Sequence, residues 1–198
     1  MSRALLRLPN LPWHNPAHHP NHAKVTHRKR PLLTQWLPCL LADRTKITTE
    51  DVELAQTHWA DAIIMMGSAA LVGHDTAKIA RHYLDALYGF EAGTVLFKPT
   101  KAADAPFRLD KAGTLSYFVG GNPDYLEDKG FALEPWREVH FINADIILSG
   151  NSALAMGHYF FTSYAGNIIK VEYTFGYTRI DGVLKINLHH SSLPYHIS

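Results

Sequence analysis

The chain has 198 residues, 46% of them hydrophobic, with 19 lysines and arginines against 18 aspartates and glutamates. That balance excludes an intrinsically disordered chain and leaves almost no net charge with which to attract nucleic acid or an acidic membrane surface. One cysteine, Cys39, excludes an internal disulfide and a cysteine-built zinc cluster, and no apolar run reaches the roughly 18 residues of a membrane-spanning helix.

The first 42 residues contain no acid, five histidines and six prolines. Prolines interleaved with His14, His18, His19 and His22 prevent a regular helix from lining the imidazoles up, so a solvated tail is the simpler reading than a metal tract. The basic run HRKR followed by PLLTQWLPCLLA has the order of a targeting signal, though displaced from the chain start. Residues 1–44 are set aside as a leader, disordered or targeting, and 45–198 as one domain; the compartment stays open, with the cytoplasm slightly favoured.

Ordered signals begin at Ile47-Thr48, where a capping threonine precedes Glu50 and Asp51. Val52, Ala55, Trp59, Ile63 and Met66 then recur at helical spacing, predicting a helix over roughly 48–71 with Trp59, Met65 and Met66 in the core. A second helix is capped by Asp75, presents Ile79, Tyr83 and Leu87 on one face and stops at Gly89.

Beyond Gly93 the pattern turns to strands. VLFKPT, PFRLD and TLSYFVGG read as short strands, with one short helix possible over 123–129. Four longer strands follow, REVHFINADIIL, ALAMGHYFFTSY, IIKVEYTFGYTRI and VLKINLHHSS, separated by the turns SGNS, AGN and DG. Helices followed by an antiparallel meander predict an α+β layout, with a curved sheet wrapped around the first helix and a cavity at its open end.

Asp181-Gly182 suits a two-residue hairpin that sets Ile180 opposite Val183. With no bulge, Phe175 opposes Leu188, Tyr173 opposes His190 and Val171 opposes Ser192, so His190 and Ser192 face inward while His189 and Ser191 face out. Adjacent histidines on opposite faces cannot grip one metal. His140, Asn143, His158 and Tyr159 lie on strands with no turn tight enough to orient them. No nucleophile elbow, phosphate loop or zinc-protease motif is present in the sequence.

VLFKPT (95–100), SYFVGG (116–121) and NLHHSSLP (187–194), in that order behind two helices, resemble the iota-class carbonic anhydrases, over roughly residues 46–195. The resemblance implies a nuclear-transport-factor-2-like cone, reversible hydration of carbon dioxide to bicarbonate, and a homodimer. It implies Thr100, Tyr117 and a serine of the tetrad as substrate-binding and catalytic hydroxyls; the strand facing selects Ser192, with neutral His190 as a proton acceptor and His189, Ser191 and Tyr173 in support. No metal is expected, zinc or manganese being the alternative. Two further readings stand beside it: a non-catalytic association or ligand-binding module of the same fold, and an isomerase or dehydratase with Asp145 as its carboxylate base.

Overall fold

The structure is a computed structural model that describes residues 46–196, so the basic leader lies outside it. Helix α1, Thr49–Leu71, begins where expected: the Thr48 hydroxyl accepts the Asp51 N–H and the Asp51 carboxylate accepts the Thr48 N–H. This reciprocal pair satisfies two of the donors a helix start leaves free. Helix α2, Thr76–Leu87, is capped by the Asp75 carboxylate on the Lys78 N–H. Along α1, Val52, Trp59, Ile63 and Met66 are buried, whereas Met65, expected beside Met66 in the core, is 51% exposed. Neighbours on a helix point about 100° apart, and Met65 falls off the apolar stripe.

Between the helices and the meander the reading needs correction. Only VLFKPT supplies a strand, β1, Leu96–Lys98. PFRLD contributes a single bridge, Arg108 to Phe97. The stretch read as a third strand is helix α3, Lys111–Val119. Asp110 caps it by accepting the Gly113 N–H, and Gly120, at φ 69°, ends it in the left-handed region open to glycine. Two correctly placed caps outweigh the strand preference of the β-branched and aromatic residues between them. The helix expected over 123–129 is a series of turns, followed by a single 3-10 turn at Phe131–Leu133.

The meander forms as expected from β2 (Trp136–Ser149), β3 (Ser152–Ser163), β4 (Ile168–Ile180) and β5 (Val183–Ser192), all antiparallel neighbours. Strand β1 adds in parallel to the far side of β5, giving the order β1-β5-β4-β3-β2. The inner face packs on α1, with Trp59 at the centre. Its indole stacks on Tyr159 at 5.5 Å and meets Phe141, Phe161 and Phe175 edge-on. Fully burying a large apolar side chain contributes about 1.5–3 kcal/mol, so this cluster is the main anchor of helix to sheet.

Of the three register shifts in the sheet, one of them at the start of β2 between Trp136 and Glu138, two lie mid-strand and decide which residues reach that core. One lies between Asn143 and Asp145 on β2, opposite Gly157; the other leaves Asn187 of β5 unpaired beside Gly176. A Cβ on Gly157 would stand 2.1 Å from the Ile142 carbonyl oxygen, and one on Gly176 would stand 2.7 Å from Asn187 Oδ1 and 2.8 Å from Leu188 Cβ. Both glycines admit a backbone approach that a side chain would block.

Past the second bulge Gly176 pairs with Leu188, Phe175 with His189, Thr174 with His190, Tyr173 with Ser191 and Glu172 with Ser192. One extra residue turns every later side chain to the opposite face. The expected facing is therefore inverted: His189 and Ser191 are each 2% exposed on the inner face, while His190 is exposed and Ser192 half-buried on the outer one.

Candidate active site

Three elements bring hydroxyls together where β5 meets β1. Parallel pairing sets Phe97 beside His189 and Lys98 beside His190. The chain leaves β1 through Pro99 into Thr100, whose hydroxyl shares a hydrogen bond with the Ser191 hydroxyl at 3.0 Å. Lys98 fixes the same point from the backbone side, its ammonium donating to the Ser191 carbonyl at 3.1 Å.

Tyr159 on β3 faces the same spot. Its hydroxyl lies 3.4 Å from His189 Nε2, a long contact, and close enough to the Ser191 and Thr100 hydroxyls for them to stabilise its ionised form. Burial dominates, pushing the Tyr159 phenol well above the ordinary tyrosine range. Tyr117 arrives from α3, buried, with no completed hydrogen bond to its hydroxyl. Burial raises it too, against a smaller downward pull from the Thr100 hydroxyl and the backbone N–H of Lys101.

His189 is fully enclosed. Its Nδ1 lies 2.9 Å from the Tyr88 hydroxyl, and its ring packs against Phe97 and Phe175 at 4.6 and 4.2 Å. Burial first, then the neighbouring His190, holds its pKa well below the usual 6.5, so the imidazole is neutral. The cluster is thus a set of un-ionised donors and acceptors walled by aromatic rings, with no free carboxylate on it. Such a set of groups suits a small, uncharged, weakly polar substrate whose oxygens gain charge on reaction.

A frame of charge holds the Thr100 loop to α3. Arg108, fully buried, pairs with Glu127 at 3.1 Å and Asp128 at 3.0 Å and lies 4.0 Å over the Tyr125 ring. The Glu127 carboxylate accepts the N–H groups of Ala103, Asp104 and Ala105, which hold its pKa down at about 2. Asp128 accepts from Ser116, the residue before Tyr117. Outside Tyr117 lies a hollow of about 330 Å³, also lined by Lys101, Phe131 and Trp136.

Comparison with known proteins identifies the family. Residues 50–193 match the family model described as metal-independent carbonic anhydrase. The chain belongs to that family. A metal-independent carbonic anhydrase of Nostoc sp. (strain PCC 7120) is 42% identical over 153 residues, 75% of each chain. The crystal structure of the iota-carbonic anhydrase from a cyanobacterium, complexed with bicarbonate, superposes with a TM-score of 0.75 at 38% identity, covering 77% of this chain and 96% of that one. A putative calcium/calmodulin-dependent protein kinase II association domain from Xanthomonas campestris, at TM-score 0.51 and 22% identity over 75% of this chain and 88% of its own, shares the fold.

For a metal-independent carbonic anhydrase, the expected residues divide cleanly. Thr100 and Tyr117 stand at the cluster. His190 and Ser192, the expected inward pair, do not: they line a separate outer hollow of about 330 Å³ with His158 and Glu172. His189 and Ser191 take their places. Tyr173 is buried, and its hydroxyl donates to Asn143 Oδ1 and accepts from Gln56 Nε2, away from Thr100 and Ser191. Asn143 is held by Gln56, and His140 and Asp145 are exposed, so the carboxylate that the isomerase or dehydratase reading named is not in the core, while buried Asp128 is taken up by Arg108 and Ser116. Among the described residues no three His, Cys, Asp or Glu side chains gather as metal ligands.

Tyr159, His189 and Ser191 of β3 and β5 are the inward residues that register alone misplaced or left open. The interior glycines Gly157 and Gly176 were the sequence signals for the two mid-strand bulges, since glycine inside a strand commonly marks one. Tyr88, just past α2, carries no comparable signal.

Proposed function

We propose that this chain hydrates carbon dioxide to bicarbonate at the Thr100, Tyr117, Tyr159 and Ser191 hydroxyls, with neutral His189 behind them. The observation that carries the reading is the Thr100–Ser191 hydroxyl pair, 3.0 Å apart and set beside two buried phenols in a member of this family. The hollow outside Tyr117 is the approach this reading gives to carbon dioxide, since Tyr117 belongs to both.

Every tyrosine at the cluster has its pKa raised by burial and His189 has its lowered, so no group there is a strong base near neutral pH. The hydroxyls therefore work bifunctionally. Water oxygen bonds to the carbon while one hydroxyl accepts a proton from that water and passes its own to a carbon dioxide oxygen. The product is carbonic acid, which ionises to bicarbonate and a proton as it leaves. The protein lowers the barrier by fixing donors and acceptors where charge develops, inside a medium that weakens hydrogen bonds less than water does.

Stopped-flow hydration on chelator-treated full-length protein tests this. Activity above buffer, unchanged by added zinc or manganese, is expected; no activity with or without metal overturns it.

A second copy of the chain is the expected partner. The outer sheet face exposes Ile142 at 50%, Leu154 at 47% and Met156 at 57%, which supports pairing through that face. Sedimentation at a monomer mass would overturn the pairing and leave the reaction untouched.

A further inference from the structure

The hydroxyls at the site have hydrogens whose directions decide what they can do. A neutral tyrosine or serine both donates and accepts, so nothing in the Thr100, Ser191 and Tyr159 group fixes its own polarity. The direction must be imposed from a group with no choice. Trp59 is such a group, because an indole N–H only donates.

Trp59 Nε1 donates to the Tyr88 hydroxyl at 2.9 Å. With its oxygen accepting there, Tyr88 has its own hydrogen to place, and the only other partner of that hydroxyl among the described residues is His189 Nδ1, also at 2.9 Å. If Nδ1 carried the imidazole proton, two hydrogens would point at each other and the Tyr88 hydrogen would be buried without an acceptor. A buried donor left unpaired costs about 1–3 kcal/mol, enough to settle the tautomer. Tyr88 is 2% exposed and Trp59 2%, so water cannot relieve that mismatch.

With Nδ1 accepting, the neutral ring carries its hydrogen on Nε2, which points at Tyr159 Oη 3.4 Å away. The Tyr159 oxygen is then an acceptor on that side, which leaves its hydrogen for the Ser191 and Thr100 hydroxyls, the neighbours that stabilise its ionised form. We propose that Trp59 and Tyr88 are positioning residues, forming with His189 a one-way relay that fixes the Nε2–H tautomer and aims the Tyr159 hydrogen into the site. The relay rests on the hydration reading for its catalytic consequence, and on hydrogen-bond geometry alone for its direction. It also gives His189 a role distinct from proton acceptance: both ring nitrogens are engaged, and the ring transmits polarity from the helix side of the core to the hydroxyl cluster.

The test uses full-length, uniformly labelled protein, with the His189 ring nitrogens assigned by NMR through its backbone. Wild type is expected to show a bare, hydrogen-bonded Nδ1 and a protonated Nε2. Tyr88→Phe should shift the Nδ1 resonance and mix the tautomers, with kcat lower by about tenfold and KM within about twofold. Trp59→Phe, which frees the Tyr88 hydroxyl without deleting it, should show a smaller change of the same kind. A protonated Nδ1 in wild type overturns the relay whether or not either variant folds. An unchanged tautomer in Tyr88→Phe overturns it too, even with kcat reduced, because the loss would then come from packing; a changed tautomer with full kcat overturns its part in catalysis. Absence of hydration activity in wild type defeats the reaction instead, and leaves the tautomer measurement to judge the relay's direction.

Discussion

The two faces of β5 carry the same chemistry, one histidine and one serine each, in opposite surroundings. His189 and Ser191 sit 2% exposed among aromatic rings, within reach of Tyr88, Tyr159 and Thr100. His190 and Ser192, one residue further along in each case, border an open hollow with His158 and Glu172. Burial makes the difference. On the inner face hydrogen bonds are shielded from water and hold fixed directions, whereas on the outer face the same groups exchange partners with solvent.

The largest expected effect comes from breaking the inner face directly. Ser191→Ala should lower kcat/KM by about 100-fold, the usual cost of removing one positioned donor, while Ser192→Ala stays within about twofold. Equal losses measured by stopped flow would overturn the assignment of faces.

A second perturbation attacks the reason the faces differ. Gly176→Val places a branched side chain where even one Cβ meets Asn187 Oδ1 at 2.7 Å and Leu188 Cβ at 2.8 Å. Overpacking of this kind costs about 1–3 kcal/mol, read as a lower denaturant midpoint, and activity should fall with it. Unchanged stability would mean that the bulge tolerates a side chain.

Acid separates the faces by another route. The pKa of His189 is lowered by burial from its usual 6.5, so the unfolded chain binds its proton first as pH falls. Stability should be level above the ordinary histidine range and decline as pH drops through it, by at most about 1.4 kcal/mol per pH unit from this group. Thermal unfolding followed from pH 8 to 5 checks the sign; a rise toward acid would contradict it. The smallest expected effect is His190→Ala, with kcat within about twofold and a stability change inside about 0.5 kcal/mol, as for most exposed substitutions.

The same contrast explains what could be read from residues alone. The caps at Thr48 and Asp75, the helical stripe through Trp59 and the four-strand meander depend on local periodicity and turn chemistry, and they form as that chemistry dictates. Thr100 and Tyr117 were identified through the family motifs and stand at the cluster, although Tyr117 does so from a helix rather than a strand. The tetrad went wrong through a single unpaired residue, Asn187, because strand parity carries an insertion forward to every later position. Gly176 announced that possibility without saying on which strand the extra residue would fall. Tyr88 and its link to His189 join residues 101 apart in the chain, a pairing that no local pattern encodes.

The short parallel strand β1 has a kinetic consequence. It brings Thr100 to Ser191 across 91 residues of chain, while the meander closes mostly through tight turns. Loop-closure entropy makes such a distant contact slow to form relative to hairpins. Refolding should therefore pass through a state in which the sheet signal has recovered and hydration has not, so that enzymatic activity times the arrival of the last strand.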